Sequence, residues 1–156
     1  MISQTAEYAL RAVVVLGAGQ GEPLTTKVIA ERTKAPLDYL SKVLQALGRA
    51  GLVDARRGIG GGYVLTRKLD DLTIKDVVDA VEPLRRITHC PLDLPQHAGR
   101  LCSLHKRLDD GVALIERLYA ESTIGDLLRD TTQSTPLCEK LEQIATKKSD
   151  VSKRAK

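Results

Sequence analysis

The chain has 156 residues, 42% hydrophobic and 28% charged, which is ordinary for one globular domain with a real core and room for an appended arm. With four Tyr and neither Phe nor Trp, that core must be built from Leu, Val, Ile and Ala; no run approaches the 18 apolar residues of a membrane span, and no secretory signal pattern opens the chain, so a cytoplasmic location is expected. The net charge of +4 is uneven: residues 1–67 hold nine basic and five acidic side chains, residues 68–146 ten and fourteen, and residues 147–156 five and one, the pattern of a polyanion-binding module on an acidic body.

Residues 3–17 space Ala6, Ala9, Leu10, Val13 and Leu16 as one face of a helix, with Ser3 as its cap and Gly17 to Gly21 as its stop. Thr25 or Thr26 caps a short second helix that ends near Lys34. Pro36 suits the first turn of a third helix, roughly 36–50, because the N–H it lacks would be unpaired there anyway. That helix sets Leu37, Leu40, Val43, Leu44 and Leu47 on one face and Asp38, Tyr39, Ser41, Lys42, Gln45 and Arg49 on the other. Residues 52–66 place short apolar stretches around a Gly-rich turn, the signature of a hairpin.

Thr73 caps a further helix that stops before Pro83, and residues 84–100 read as a long loop. From Leu101 to about Ser122 a long helix carries Leu104, Leu108, Val112, Ile115 and Leu118 as an apolar stripe, and Thr123 caps a last short helix. The adjacent pair Asp109 and Asp110 reads as solvated. Residues 147–156 have almost nothing apolar and are expected to be disordered. No internal repeat is evident.

Two constellations carry chemistry. A short helix, a tight connection and a helix with a polar outer face match a helix-turn-helix, whose second helix enters the DNA major groove. On that face Lys42 suits phosphate or guanine, Gln45 an adenine edge, and Ser41 and Tyr39 phosphate oxygens. Arg56 and Arg57 stand beside Gly58-Ile59-Gly60-Gly61-Gly62-Tyr63, a thin loop suited to lie along a phosphate backbone or in a minor groove. A nucleotide-phosphate loop fits less well, because no Gly-Lys-Ser/Thr follows and the turn leads into a strand. The second constellation is the window 89–105, which holds His89, His97, His105, Cys90 and Cys102, five of the six His and Cys in the chain. Thiols and imidazoles together favour zinc or an iron–sulfur centre. An odd count of three Cys points to reduced thiols or metal ligands. No hydrolase, metalloprotease or Walker motif is present, so an enzyme is not expected.

Assembled, these residues resemble the BadM/Rrf family of bacterial winged-helix regulators over about Ile2 to Ser122. The most specific matches are AEYALRAV (6–13), APLDYLSKVLQALGRAGLV (35–53) and ARRGIGGGYVL (55–65). The resemblance implies a mainly α fold with a small β-hairpin wing, a winged helix-turn-helix head and a long dimerisation helix. It implies a homodimer on a palindromic operator of double-stranded DNA, away from membranes, contacted through Thr26, Tyr39, Ser41, Lys42, Gln45, Arg56, Arg57, Gly60, Gly61 and Tyr63. The implied division is a DNA-binding domain at 1–83, a sensor loop at 84–103, dimerisation and short C-terminal helices at 104–130, and a flexible basic tail at 131–156.

Iron–sulfur members carry three Cys at six-residue steps and then a His; here that register reads Cys90, Gln96, Cys102 and His105. A carboxylate of the first helix completes the cluster in some members, and Glu7 stands at a similar position. The implied ligands are thus Cys90, Cys102, His105 and Glu7, with His97 or Cys138 as substitutes, holding [2Fe-2S] in preference to [4Fe-4S]. The middle Cys has become Gln96, which keeps open a metal-free regulator governed by a metabolite or a partner protein.

Overall fold

The structure is a computed structural model and describes residues 2–91, 99–130, 132, 136 and 137. Its frame is α1 (Gln4–Ala18), a helix rich in Ala and Val that runs through the middle of the head. Ser3 caps it by accepting from the Ala6 N–H at 3.2 Å. Ala9, Ala12, Val13, Val15 and Leu16 are buried, and the small Ala side chains let α2, α3 and α4 all pack against one helix.

Thr25, rather than Thr26, caps α2 (Thr26–Thr33). The helix closes on Lys34, whose left-handed conformation (φ 54°) lets its N–H reach back to the Ala30 carbonyl. Pro36 then caps α3 (Leu37–Arg49), so three residues separate the two helices. Leu40, Val43, Leu44 and Leu47 are buried as the spacing predicts. Leu37 is a correction: it is 49% exposed, because the first turn of α3 projects past the core.

Strands β1 (Val53–Arg56) and β2 (Gly62–Leu65) form an antiparallel hairpin with Val53 opposite Leu65 and Arg56 opposite Gly62. Tyr63 ties the hairpin to the head: its backbone exchanges two hydrogen bonds with Leu24, of 2.8 and 3.0 Å. At Gly61 a Cβ would stand 2.3 Å from the Arg56 carbonyl oxygen and 2.9 Å from that of Gly58. Both obstacles are backbone, so the turn must open to admit any side chain. Gly61→Ala is expected to lower unfolding stability by about 1–3 kcal/mol, checked by urea denaturation; an unchanged midpoint would contradict this packing.

A 3₁₀ turn, Leu69–Asp71, leads into α4 (Ile74–Val81), and α5 (Ser103–Glu121) and α6 (Ile124–Arg129) follow the loop. Thr73-Ile-x-Asp76 and Thr123-Ile-x-Asp126 are the same capping box, in which the Thr hydroxyl and the Asp carboxylate satisfy each other's backbone N–H. The two boxes lie side by side, with the Ile74 N–H on the Ser122 carbonyl and the Ile124 N–H on the Leu72 carbonyl. This local repeat escapes a search for long periods. It returns the chain to the head after α5, where Ile124 is fully buried in the main core.

Candidate functional site

The outer face of α3 presents Lys42, Gln45 and Arg49 to solvent. Ser41 is half-buried, and its hydroxyl donates to the Leu37 carbonyl at 2.9 Å. Tyr39 is exposed as well, and its side chain also meets α1. Its hydroxyl is hydrogen-bonded to Thr5, and its ring meets Tyr8 edge-on at 5.7 Å, because both lie on the side of α3 turned towards α1. Thr26 is half-buried in the first turn of α2.

Arg56 and Arg57 are exposed at the base of the wing turn, and no acidic side chain among the described residues pairs with either. Gly58 and Gly60 take φ of 97° and 78°, which hold Ile59 fully exposed at the tip. Gly61 and Tyr63 are explained by the turn and by the bridge to Leu24. The wing and the α3 face thus offer cations on a thin projection and on a helix of the same head.

The second group forms where the loop meets α5. Cys102 is the N-cap of α5, in extended conformation and with no side-chain hydrogen bond to the helix backbone. His105 follows within the first turn, so both point to one side of the helix start. Cys90, buried, comes in from the preceding segment. Nδ1 of His105 lies 3.2 Å from the Cys102 sulfur and 3.7 Å from that of Cys90, and the three ligand atoms all lie within 4.8 Å of one another. Neither Cys is in a disulfide.

Three residues before Cys90 the chain is clamped to α5. Arg86 donates to both carboxylate oxygens of Asp109 at 2.7 Å, and the Ile87 N–H adds a third bond at 2.9 Å. Asp109, read from sequence as solvated, is 7% exposed. The bidentate Arg86 guanidinium and the Ile87 N–H hold its carboxyl down at about 2, against an ordinary value of 3.8. Arg86 also approaches Glu116 at 3.6 Å, and Glu116 pairs with Lys75 of α4 at 3.3 Å. A charged chain therefore runs from the loop across α5 to the head.

Sequence reading missed this clamp, though a signal existed. Asp109 is one helical turn from His105 and lies away from the apolar stripe, whereas Asp110 points outwards to Lys106.

Other expected ligands are placed elsewhere. Glu7 is paired with Arg11 along the outer side of α1 and does not join the group. The reason is local: an i,i+4 Arg captures the carboxylate on its own helix. His89 is exposed and lies 3.1 Å from the Thr88 hydroxyl. Gln96, His97, Cys138 and nearly all of the 131–156 tail lie outside the described residues.

The Rrf2 family model, described as an iron-dependent transcriptional regulator, matches residues 2–130. The chain belongs to the Rrf2 family. Members of this family are transcriptional regulators and not enzymes. This Rrf2 protein is 32% identical over 133 residues to the helix-turn-helix-type regulator ORF2 of Azotobacter vinelandii, covering 78% of this chain and 80% of that one. It is 29% identical over 130 residues to the IscR regulator of Vibrio atlanticus, covering 83% of this chain and 75% of the relative. Among solved structures it is similar to T. potens IscR, with TM-score 0.66, 28% identity and coverage of 83% and 87% of the two chains. CymR, the global cysteine regulator of B. subtilis, gives TM-score 0.66 at 26% identity, covering 81% and 95%. The mainly helical fold with a small hairpin wing is thus that of winged-helix Rrf2 regulators. Among the described residues no helix of this Rrf2 protein is long and apolar enough to cross a membrane.

Proposed function

We propose that this Rrf2 regulator binds a palindromic operator as a homodimer and reports iron, redox state or nitric oxide through an iron–sulfur centre. The observation that carries the sensing is the convergence of Cys90, Cys102 and His105. Their sulfur-to-nitrogen distances of 3.2 and 3.7 Å are close to the roughly 3.3–3.8 Å between ligands on one tetrahedral metal with bonds of about 2.0–2.3 Å. The donor set therefore fits a metal. Thiolates are the usual ligands of iron–sulfur clusters, and imidazole replaces some of them in [2Fe-2S] centres, which favours that type here. When bound, such a centre supplies one-electron redox chemistry and sensitivity to nitric oxide.

The chain's own residues hold the site where a signal can be used. The 84–103 loop separates the 1–83 head from the long helix, and the Arg86–Asp109 clamp ties that loop to α5. Glu7 is paired with Arg11 on its own helix, so the residues of this chain that would hold the centre are Cys90, Cys102 and His105. Anaerobic reconstitution with ferrous iron and sulfide should give a coloured protein with iron–sulfur absorbance and Mössbauer signals, lost in Cys102→Ala. A wild type that takes up no iron yet binds its operator would overturn the cluster. Gln96 in the cysteine register favours that second reading, a metal-free regulator controlled by a metabolite or a partner protein.

Leu104, Leu108, Ile115 and Leu118 on α5 are all exposed, with Leu114 beside them and Val112 half-buried. The stripe continues into an open groove of about 590 Å³ between the start of α1, the end of α4 and Ile115 of α5. Monomers rarely leave such a surface uncovered, and pairing with a second copy about a twofold axis buries it. Leu108→Asp or Ile115→Asp should halve the mass seen by light scattering. An unchanged dimer would rule out this seam.

A further inference from the structure

The two cysteines that converge on His105 can also react with each other. Their sulfurs lie within 4.8 Å, and neither is in a disulfide. A disulfide needs a sulfur–sulfur bond of about 2.05 Å, which side-chain rotation supplies only when the two backbones already stand close. Cys102 is well placed to turn. It is half-buried, caps α5 from an extended backbone, and makes no side-chain hydrogen bond to the helix backbone, its sulfur meeting the His105 ring at 3.2 Å. Cys90 is 5% exposed and sits three residues after the Ile87 N–H clamped on Asp109. The first thiol is open to a small oxidant; the second is shielded from it but next to the first.

Gln96 gives this pair a consequence of its own. A site with three thiols can join them in three ways, whereas at 90, 96 and 102 this chain offers two. Oxidation of the emptied site therefore has one intramolecular product.

We propose that, freed of metal, Cys90 and Cys102 close a reversible disulfide on exposure to hydrogen peroxide, so that the site is a thiol switch as well as a metal site. In the first step the Cys102 sulfur attacks a peroxide oxygen; the O–O bond breaks, one water leaves, and Cys102 carries S–OH. In the second step the Cys90 sulfur attacks the Cys102 sulfur, the S–O bond breaks and a second water leaves. Two thiols and one peroxide give one disulfide and two waters, the sulfurs being oxidised and the peroxide reduced. The closed pair removes both sulfur ligands, so metal returns only after a thiol reductant reopens the bond. The chemistry rests on the cysteine geometry alone; its meaning as a signal rests on the sensing role proposed above.

The test uses the full chain, stripped of metal by a chelator and treated with stoichiometric hydrogen peroxide. Thiols counted under denaturing conditions should fall from three to one, and from two to zero in Cys138→Ser. Trypsin cuts after Arg86, Arg100 and Lys106, so the two cysteines fall in separate peptides, 87–100 and 101–106. Non-reducing mass spectrometry should find these joined and 2 Da lighter than their sum, and dithiothreitol should part them. Cys102→Ser should leave Cys90 reduced under the same treatment. The proposal is overturned if the oxidised thiols are joined to Cys138 or between chains, or if both cysteines stay alkylatable. Zinc ion serves as the metal probe: the reduced chain should bind it and the oxidised chain should not, until reduced. A reduced chain that binds neither zinc nor iron defeats the metal reading, while the joined peptides still decide the disulfide.

Discussion

Replacing Arg56 and Arg57 together by Ala should lower the slope of log K against log salt for operator DNA by about two, one for each arginine–phosphate ion pair removed. At 0.1 M salt a change of that slope corresponds to roughly 50-fold weaker binding. The expectation follows from where the structure leaves the two side chains. Both are exposed beside the wing turn and no described acidic residue neutralises them, so their charge is available to a polyanion. Lys42→Ala and Gln45→Ala should behave differently. They stand on the solvent face of α3, where removing a bidentate hydrogen bond to a base changes preference among operators by about 1–3 kcal/mol. Binding titrations at several salt concentrations, on one operator and its single-base variants, separate the two effects. A double Arg variant with an unchanged slope would show that the wing does not touch phosphate.

Asp109→Ala should loosen the proposed metal site without removing a proposed ligand. The Asp109 carboxylate joins the segment that brings Cys90 to the helix that carries Cys102 and His105, through Arg86 and the Ile87 N–H. Groups that orient metal ligands in this way typically contribute 10- to 100-fold in metal affinity, and a fall of that size in a chelator competition is the expected result. Arg86→Met should produce a similar loss, and the two together little more than either alone. Independent, additive losses would show that the pair does not act as one clamp.

The same carboxylate gives the fold an acid-sensitive interaction, with a definite sign. Its folded value of about 2 lies below the ordinary 3.8, so the ionised form is favoured in the folded chain. The stabilisation is fully present above about pH 4 and is lost as the pH falls towards 2. Unfolding curves of wild type and Asp109→Asn should therefore differ most near neutrality and converge in acid. A gap that widened on acidification would reverse the assignment.

How much of this was legible in the sequence depends on the range of the interaction concerned. Helix caps are local: Ser3, Thr73 and Thr123 were found from a hydroxyl preceding an apolar period, because the donor and acceptor lie within three residues. The hairpin was legible because its tight turn needs positive φ, which Gly58 and Gly60 adopt without a Cβ penalty. The grouping of Cys90, Cys102 and His105 was legible in part, from composition and from the family register, and the fold brings the three together. Tyr39 is exposed as its spacing predicts, but helical spacing assigns a face and not what stands beside it. Thr5 and Tyr8, more than thirty residues away in the chain, take that side chain.

By itself the sequence determined the elements, the family and the cations proposed for DNA contact, since these follow from spacing, turn residues and charge, which are properties of neighbours in the chain. Only the tertiary structure decided that Asp109 is a buried partner of Arg86, that Cys90 meets Cys102 and His105, and that α6 returns to the core beside α4. Each of these turns on proximity or exclusion in space, and for a charged side chain the outcome is set by which donors the fold delivers. A carboxylate with three donors around it can be buried; the same residue without them must face water.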